Sequence, residues 1–128
     1  MSTSEHIKNY VVLSVCFIAL DYVYLSNMSN HFGKLESDIQ GSSLTMRPEA
    51  VVLCYTFLTT GLYYFGILRD ITLRDAFLLG IYVYGVYEST NYIIFNNWKQ
   101  DTVIIDTLWG GVLFSGTIWL YRQLISKI

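Results

Sequence analysis

Charge is scarce in this sequence. Charged residues make up 14% of its 128 residues, whereas hydrophobic residues make up 53%. A soluble domain of ordinary composition carries roughly 25% charged residues, so this composition argues against a water-soluble protein. The net charge is only −2 and no cluster of Lys and Arg is present. Because phosphate backbones are held by such clusters, we do not expect nucleic acid as a partner.

Cysteine and histidine are also rare. Cys16 and Cys54 each stand within an apolar run, with no second Cys or His at the spacing of a metal ligand. That spacing argues against a zinc site, and we expect both cysteines to be small core residues. His6 and His31 fall in a terminal and a polar stretch, where we expect solvent-facing side chains. No cofactor motif is evident.

Long apolar runs are what the sequence has in quantity. A bilayer core about 30 Å thick needs roughly 20 apolar residues per helix. Four runs reach that length, at about 7–28, 48–68, 76–95 and 102–121. Pro48 opens the second run, and proline is tolerated in the first turn of a helix. Residues 29–47 are polar and contain Gly-Ser-Ser at 41 to 43, which predicts a loop.

The other connections are short, so neighbouring helices should run in opposite directions. The sequence therefore predicts one domain over residues 1–128, an all-α integral membrane protein folded as an antiparallel four-transmembrane-helix bundle in a lipid bilayer. Both termini then lie on one side. That side carries Lys8, Arg69, Arg74, Arg122 and Lys127, against Lys34, Arg47 and Lys99 on the other. The excess of positive charge predicts termini in the cytoplasm.

Three acidic residues interrupt the apolar runs: Asp21, Glu88 and Asp106. A charged side chain near the bilayer centre costs at least ~2.5 kcal/mol, and apart from Lys8 at the entry of the first run no Lys or Arg lies within the runs to neutralise these acids. With antiparallel helices, all three fall toward the same membrane surface, roughly 6 to 11 Å below it at 1.5 Å per residue. One shared site is therefore geometrically allowed.

Helical spacing places other polar residues beside these acids. Asn91 lies one turn from Glu88, so the predicted ion or proton site consists of Asp21, Glu88, Asn91 and Asp106. The polar and aromatic side chains expected to support it are Tyr24, Tyr84, Tyr87, Thr90 and Trp109. On the fourth run, Thr107, Gly111 and Ser115 form a ridge of small residues suited to close helix packing.

The leading functional hypothesis is binding or translocation of protons or small cations. Carboxyl groups crowded in a low dielectric cannot all ionise, so the cluster should hold at least one proton. Carboxylate and amide oxygens also suit a hard cation such as Na⁺, Ca²⁺ or Mg²⁺. Since one protomer offers only four helices, a homo-oligomer is one way to complete a conducting path.

Two other classes of function stay open. In the first, the acids are neutral and hydrogen-bonded and serve only helix packing, in a structural or assembly protein of a bacterial or viral membrane. The loop over residues 29–47 would then contact a partner. In the second, the acids act as general acid and base in a membrane enzyme. No nucleophile stands beside a plausible base, so we expect no enzyme.

Three motifs in chain order resemble a known family. They are Leu20-Asp21-x-x-Tyr24-Leu25, Tyr87-Glu88-x-Thr90-Asn91 and Asp106-x-x-Trp109-Gly110, with a proline-led second helix and Trp98 before the fourth. From about Val12 to Gly116 the chain is similar to a family of predicted membrane proteins, a domain of unknown function (2177). The resemblance implies a four-helix integral membrane protein of bacteria and large DNA viruses, without an assigned activity. The family usually has Asp where this chain has Glu88, which keeps the carboxyl group and lengthens its reach.

Overall fold

The structure, a computed structural model, describes residues 1–40 and 47–128, which form helices joined by short turns with no strand among them. The elements are α1 (Thr3–Gln40), α2 (Pro48–Leu62), α3 (Leu73–Ile94) and α4 (Gln100–Ile125). A single π-helical turn, Tyr63–Ile67, continues α2. The prediction of an all-helical fold is confirmed.

Three helical segments are long and apolar enough to cross a membrane: Thr3–Met28, Pro48–Ile67 and Gln100–Ile125. The third predicted span is not among them, although α3 has 22 residues. The polar residues Glu88, Thr90 and Asn91 lie together in the second half of α3, and they lower its apolar character. The described chain thus has three candidate membrane spans rather than the four that were predicted.

The first helix is much longer than predicted. Residues 29–40 were assigned to a loop, but α1 continues through them to Gln40. Apolar side chains recur there at helical spacing, and Leu35 is buried with 5% of its surface exposed. Phe32 lies against Tyr24, with ring centroids 6.3 Å apart. Packing along one face therefore stabilises a segment whose average polarity predicted a loop. The Gly-Ser-Ser at 41 to 43 lies outside the described residues.

The two histidines are partly buried, so the prediction of solvent-facing side chains is wrong. His31 Nε2 is 2.8 Å from Thr102 Oγ1 and joins the extended part of α1 to the start of α4. His6 Nδ1 is 2.7 Å from the Tyr63 hydroxyl, at the other end of the molecule. Each ring thus connects two helices, a contact that sequence position alone does not reveal.

Contacts along the helices show that neighbours run in opposite directions. On α1 and α2, Tyr10 pairs with Thr59 and Asp21 pairs with Tyr55. The termini meet at one end, which we call the terminal end, where Lys8 Nζ donates to the Ile128 carbonyl at 3.3 Å. The opposite end, the loop end, carries the turn between α3 and α4 and the last turns of α1.

Helix α4 packs against both α1 and α3 and contributes half of the core cluster. The core cluster consists of Leu13, Phe17, Leu62, Ala76, Leu113, Phe114, Ile118 and Tyr121. The closest approach joins α3 to α4, where a Cβ on Gly80 would lie 2.0 Å from the Gly110 carbonyl oxygen. A Cβ on Gly111 would lie 2.7 Å from the Phe77 ring. Of the predicted small-residue ridge, Gly111 is at this contact, while the Ser115 hydroxyl bonds back to its own helix.

Candidate functional site

A cavity of about 440 Å³ lies among the four helices. Its walls come from all four helices and from Trp98 in the turn between α3 and α4. Four acids line it: Asp21, Glu36, Glu88 and Asp106. We call this space the acid cavity. No Lys or Arg lines it in the part of the chain that the structure describes, so these carboxyl groups have no cationic partner.

Asp21 is held by donors from two other helices. It is buried on α1, with 5% of its surface exposed. The Tyr55 hydroxyl on α2 donates to Oδ2, and the Trp109 indole N–H on α4 donates to Oδ1 at 3.1 Å. Both carboxyl oxygens therefore act as acceptors. Asp21 is thereby fixed between α2 and α4 by neutral donors.

Glu88 and Asp106 face each other across the α3–α4 interface as an interacting carboxyl pair. Glu88 is 1% exposed, and its Oε1 accepts the indole N–H of Trp98 at 2.8 Å. Asp106 Oδ1 accepts the Tyr24 hydroxyl at 3.1 Å. Two unit charges 4 Å apart repel by about 4 kcal/mol at an effective dielectric constant of 20. The pair avoids this cost when it shares one proton.

Two stacked rings connect the carboxyl pair to Asp21. Tyr24 on α1 and Trp109 on α4 lie parallel, with centroids 4.5 Å apart and an interplanar angle of 4°. Tyr24 donates to Asp106, and Trp109 donates to Asp21. The stack thus fixes the positions of two acids from different helices, so the acids belong to one connected arrangement.

The structure brings most of the predicted site residues together. Tyr24, Tyr84 and Tyr87 line the acid cavity with the three predicted acids, and Trp109 bonds to Asp21. Two predicted residues do not join them. Asn91 is half-buried one turn nearer the end of α3 and does not line the cavity. Thr90 is exposed, and its hydroxyl donates to the Val86 carbonyl of its own helix at 2.7 Å.

Four residues of the cavity lining that carry polar or thiol groups were not predicted there. Tyr55 and Trp98 are hydrogen-bond donors to the acids, and Glu36 was placed in a loop. Cys54 lines the cavity and is exposed rather than buried in a core, so its prediction is wrong, whereas Cys16 is buried as predicted. Matching depths along antiparallel runs would have found Tyr55, since it lies opposite Asp21. For Trp98, the only indication in the sequence was its place in the pattern that resembles the family.

The donors around the acids bear on what the cavity can hold. In the described ranges 1–40 and 47–128, no three His, Cys, Asp or Glu side chains are grouped to hold a metal ion. The acids instead accept hydrogen bonds from tyrosine and tryptophan, which stabilise negative charge. Such a site is suited to gaining and losing protons. Binding of a hard cation stays a prediction.

Comparison with known proteins gives one family. Residues 6–121 match the model of the family described as Predicted membrane protein (DUF2177). This range contains α2, α3 and α4 almost whole, together with all four acids of the cavity. Neither the curated proteins nor the solved structures give a match.

Proposed function

The chain belongs to this family of predicted membrane proteins, and we propose that it binds and translocates protons through the acid cavity. The observation that carries the proposal is the Glu88–Asp106 pair, one buried and one half-buried carboxyl group that line the same cavity with no basic residue among its described walls. Such a pair readily holds one proton, because ionising both carboxyl groups would place two negative charges side by side. A small cation is the alternative occupant when the proton leaves.

The proposal includes α3 as a fourth membrane span. Its outer face exposes large side chains, with Val86 67% and Ile93 83% exposed, as expected of a surface in lipid. Its acid, Glu88, is turned inward to the cavity. Both termini lie at one end, as an even number of spans requires.

The charge count then puts the termini in the cytoplasm. In intact cells, an impermeant thiol reagent should leave the variant Lys127→Cys unlabelled in a Cys54→Ser background. Labelling of that position from outside would reverse the orientation.

The proton pathway starts at the loop end, where the acid cavity receives a proton. The Glu88–Asp106 pair holds it, and the Tyr24 hydroxyl on Asp106 stabilises the ionised member of the pair. Asp21 lines the same cavity and is the next carboxyl group toward the terminal end, held in place by its hydrogen bonds from Tyr55 and Trp109. A proton thus passes from a pair that shares it to a single carboxylate deeper in the bundle.

Proton flux into liposomes tests this proposal. The purified protein is reconstituted with a pH-sensitive dye inside the vesicles, and a potassium diffusion potential drives the protons. We expect Glu88→Gln and Asp106→Asn each to reduce the flux about 100-fold, as for the loss of an essential proton-transferring group. Glu49→Gln is the matched control, because Glu49 is an exposed acid in the first turn of α2. Wild-type flux equal to that of empty liposomes, or unchanged flux in both variants, would overturn the proposal.

A structural role for the acids is the second candidate, and one observation favours it. Each predicted acid is tied to another element by a hydrogen bond: Asp21 to α2 and α4, Asp106 to α1, and Glu88 to the α3–α4 turn. In this case the same substitutions would lower the free energy of unfolding in detergent, and the wild-type protein would conduct no protons.

A further inference from the structure

We propose that a line of hydroxyl groups between α1, α2 and α4 connects Asp21 to the terminal end and forms the second half of the proton pathway. We call this line the hydroxyl route. It rests on the proposed function, which brings protons only as far as Asp21. On α1 its members follow one face at steps of four and seven residues: His6, Tyr10, Ser14 and Asp21. On α2 they follow steps of four: Tyr55, Thr59 and Tyr63.

The terminal part of the route is hydrogen-bonded across α1 and α2. His6 Nδ1 lies 2.7 Å from the Tyr63 hydroxyl, and the Tyr10 hydroxyl lies 2.6 Å from Thr59 Oγ1. The rings of Tyr10 and Tyr63 meet edge to face, with centroids 5.7 Å apart. Thr59 is 2% exposed, whereas His6 is only partly buried. This part therefore consists of two hydrogen-bonded pairs in ring contact, one partly buried at the terminal end and one that reaches a buried hydroxyl.

The cavity part of the route is the contact between Asp21 and Tyr55. The Tyr55 hydroxyl donates to Asp21 Oδ2, and Tyr55 lies one turn from Thr59 on the same face of α2. The Thr59 hydroxyl donates to the Tyr55 carbonyl at 2.7 Å. The two parts thus lie on adjacent turns of α2. Between them is a layer of the bundle about one helical turn thick.

That layer is apolar except for two hydroxyl groups that have no partner. Leu13 and Phe17 are fully buried there. Ser14 Oγ and Thr117 Oγ1 are buried without a hydrogen bond, and Thr117 is 0% exposed. Phe17 packs on Phe114, so Thr117, one turn further along α4, falls near the level of Ser14.

An unpaired buried hydroxyl is costly, and valine would fill the volume of Thr117 without that cost. Their presence points to a small polar ligand at this level, and water is the molecule that would pair both groups. Water entering between Leu13 and Phe17 would complete a chain of hydroxyl groups from Asp21 to Tyr10. Protons pass along such chains by exchange between neighbouring oxygens. The two apolar side chains would then limit when the route is open.

The liposome assay tests the route with variants outside the acid cavity. Thr117→Val removes one hydroxyl with little change in volume, and Tyr10→Phe removes another from the terminal part. We expect each to reduce proton flux about tenfold, the rate equivalent of one net hydrogen bond. The matched controls are Thr56→Val and Tyr82→Phe. Thr56 is exposed and bonds only to its own helix at Val52, and Tyr82 is 70% exposed.

Three other outcomes are distinguishable. If the wild-type protein conducts and Glu88→Gln blocks it, but Thr117→Val and Tyr10→Phe conduct like wild type, the hydroxyl route is wrong and the proposed function stands. If the wild-type protein does not conduct, both fail. If flux falls only in proportion to a lowered thermal midpoint of the variants, the hydroxyls have a packing role and the route is overturned. Infrared titration of the carboxyl bands should show that Thr117→Val leaves proton uptake by the acids unchanged.

Discussion

Helices α3 and α4 meet in two different ways along their length. At Gly80 and Gly110 their backbones touch, with no room for even a methyl group between them. Two turns further along α3, the same pair of helices places Glu88 and Asp106 beside a cavity of about 440 Å³. Side chains are absent at the first contact, whereas at the second two acids stand in a cavity that apolar side chains such as Leu58 and Val83 also line.

The difference shows how a small bundle can hold a polar cavity. In a membrane, lipid tails are as apolar as leucine, so helices associate through close packing and interhelical hydrogen bonds. The glycine contact supplies the close packing. Hydrogen bonds from Tyr24, Tyr55, Trp98 and Trp109 supply the rest around the acids. We infer that the first region holds α3 and α4 in the position that the second requires.

The largest expected effect is therefore at the glycine contact. Gly80→Ala would place a Cβ 2.0 Å from the Gly110 carbonyl oxygen, so the two backbones must separate. We expect this substitution to lower the free energy of unfolding by about 3 kcal/mol, at the upper end for overpacked cores. Denaturant titration of the purified protein in detergent micelles measures it.

Gly61→Ala is the matched control, since a Cβ there would meet nothing within 4 Å. It should leave the protein unchanged or stabilise it by up to about 1 kcal/mol, because alanine is the better helix former. Equal stabilities for the two variants would mean that α3 and α4 do not touch at Gly80. The contrast between the two regions would then be lost.

Much of the fold was predictable because burial in lipid imposes long apolar runs. The starts of α2 and α4 lie within two residues of their predicted positions, and Pro48 is the first residue of α2. The end of α1 was not predictable in this way. Residues 29–40 are polar on average, and their helix depends on contacts such as His31 with Thr102, seventy-one positions away. A window average records polarity, whereas a helix needs only one apolar face.

The candidate site likewise has residues that the sequence predicted and residues that depend on tertiary contacts. Asp21, Glu88 and Asp106 were predicted from their depths alone, since an acid in an apolar run needs a shared polar environment. Of their four donors, Tyr24 and Trp109 were predicted as supporting residues. Tyr55 and Trp98 were not, because they are ordinary residues in a membrane sequence and gain a role only through tertiary contact. Asn91 was placed by helical spacing, which gives the face of a helix but not where a cavity ends.

The smallest expected effect concerns Glu36, and it tests whether the acid cavity is enclosed at the loop end. This residue lies beyond the candidate span of α1, and burial raises the pKa of its carboxyl group above the ordinary value. The folded protein then binds this proton at a higher pH than the unfolded chain does. Stability from Glu36 is therefore highest below the ordinary carboxyl pKa and decreases as pH rises toward the raised value.

Glu36→Gln should remove that part of the pH dependence, giving a flatter curve of unfolding free energy from acidic to neutral pH. The exposed Glu49, replaced by glutamine, serves as the control and should follow the wild-type curve. Parallel curves for wild type and Glu36→Gln would mean that water reaches this carboxyl group freely. The extended part of α1 would then not enclose the acid cavity, and the loop end of the bundle would be open in a way that the glycine contact is not.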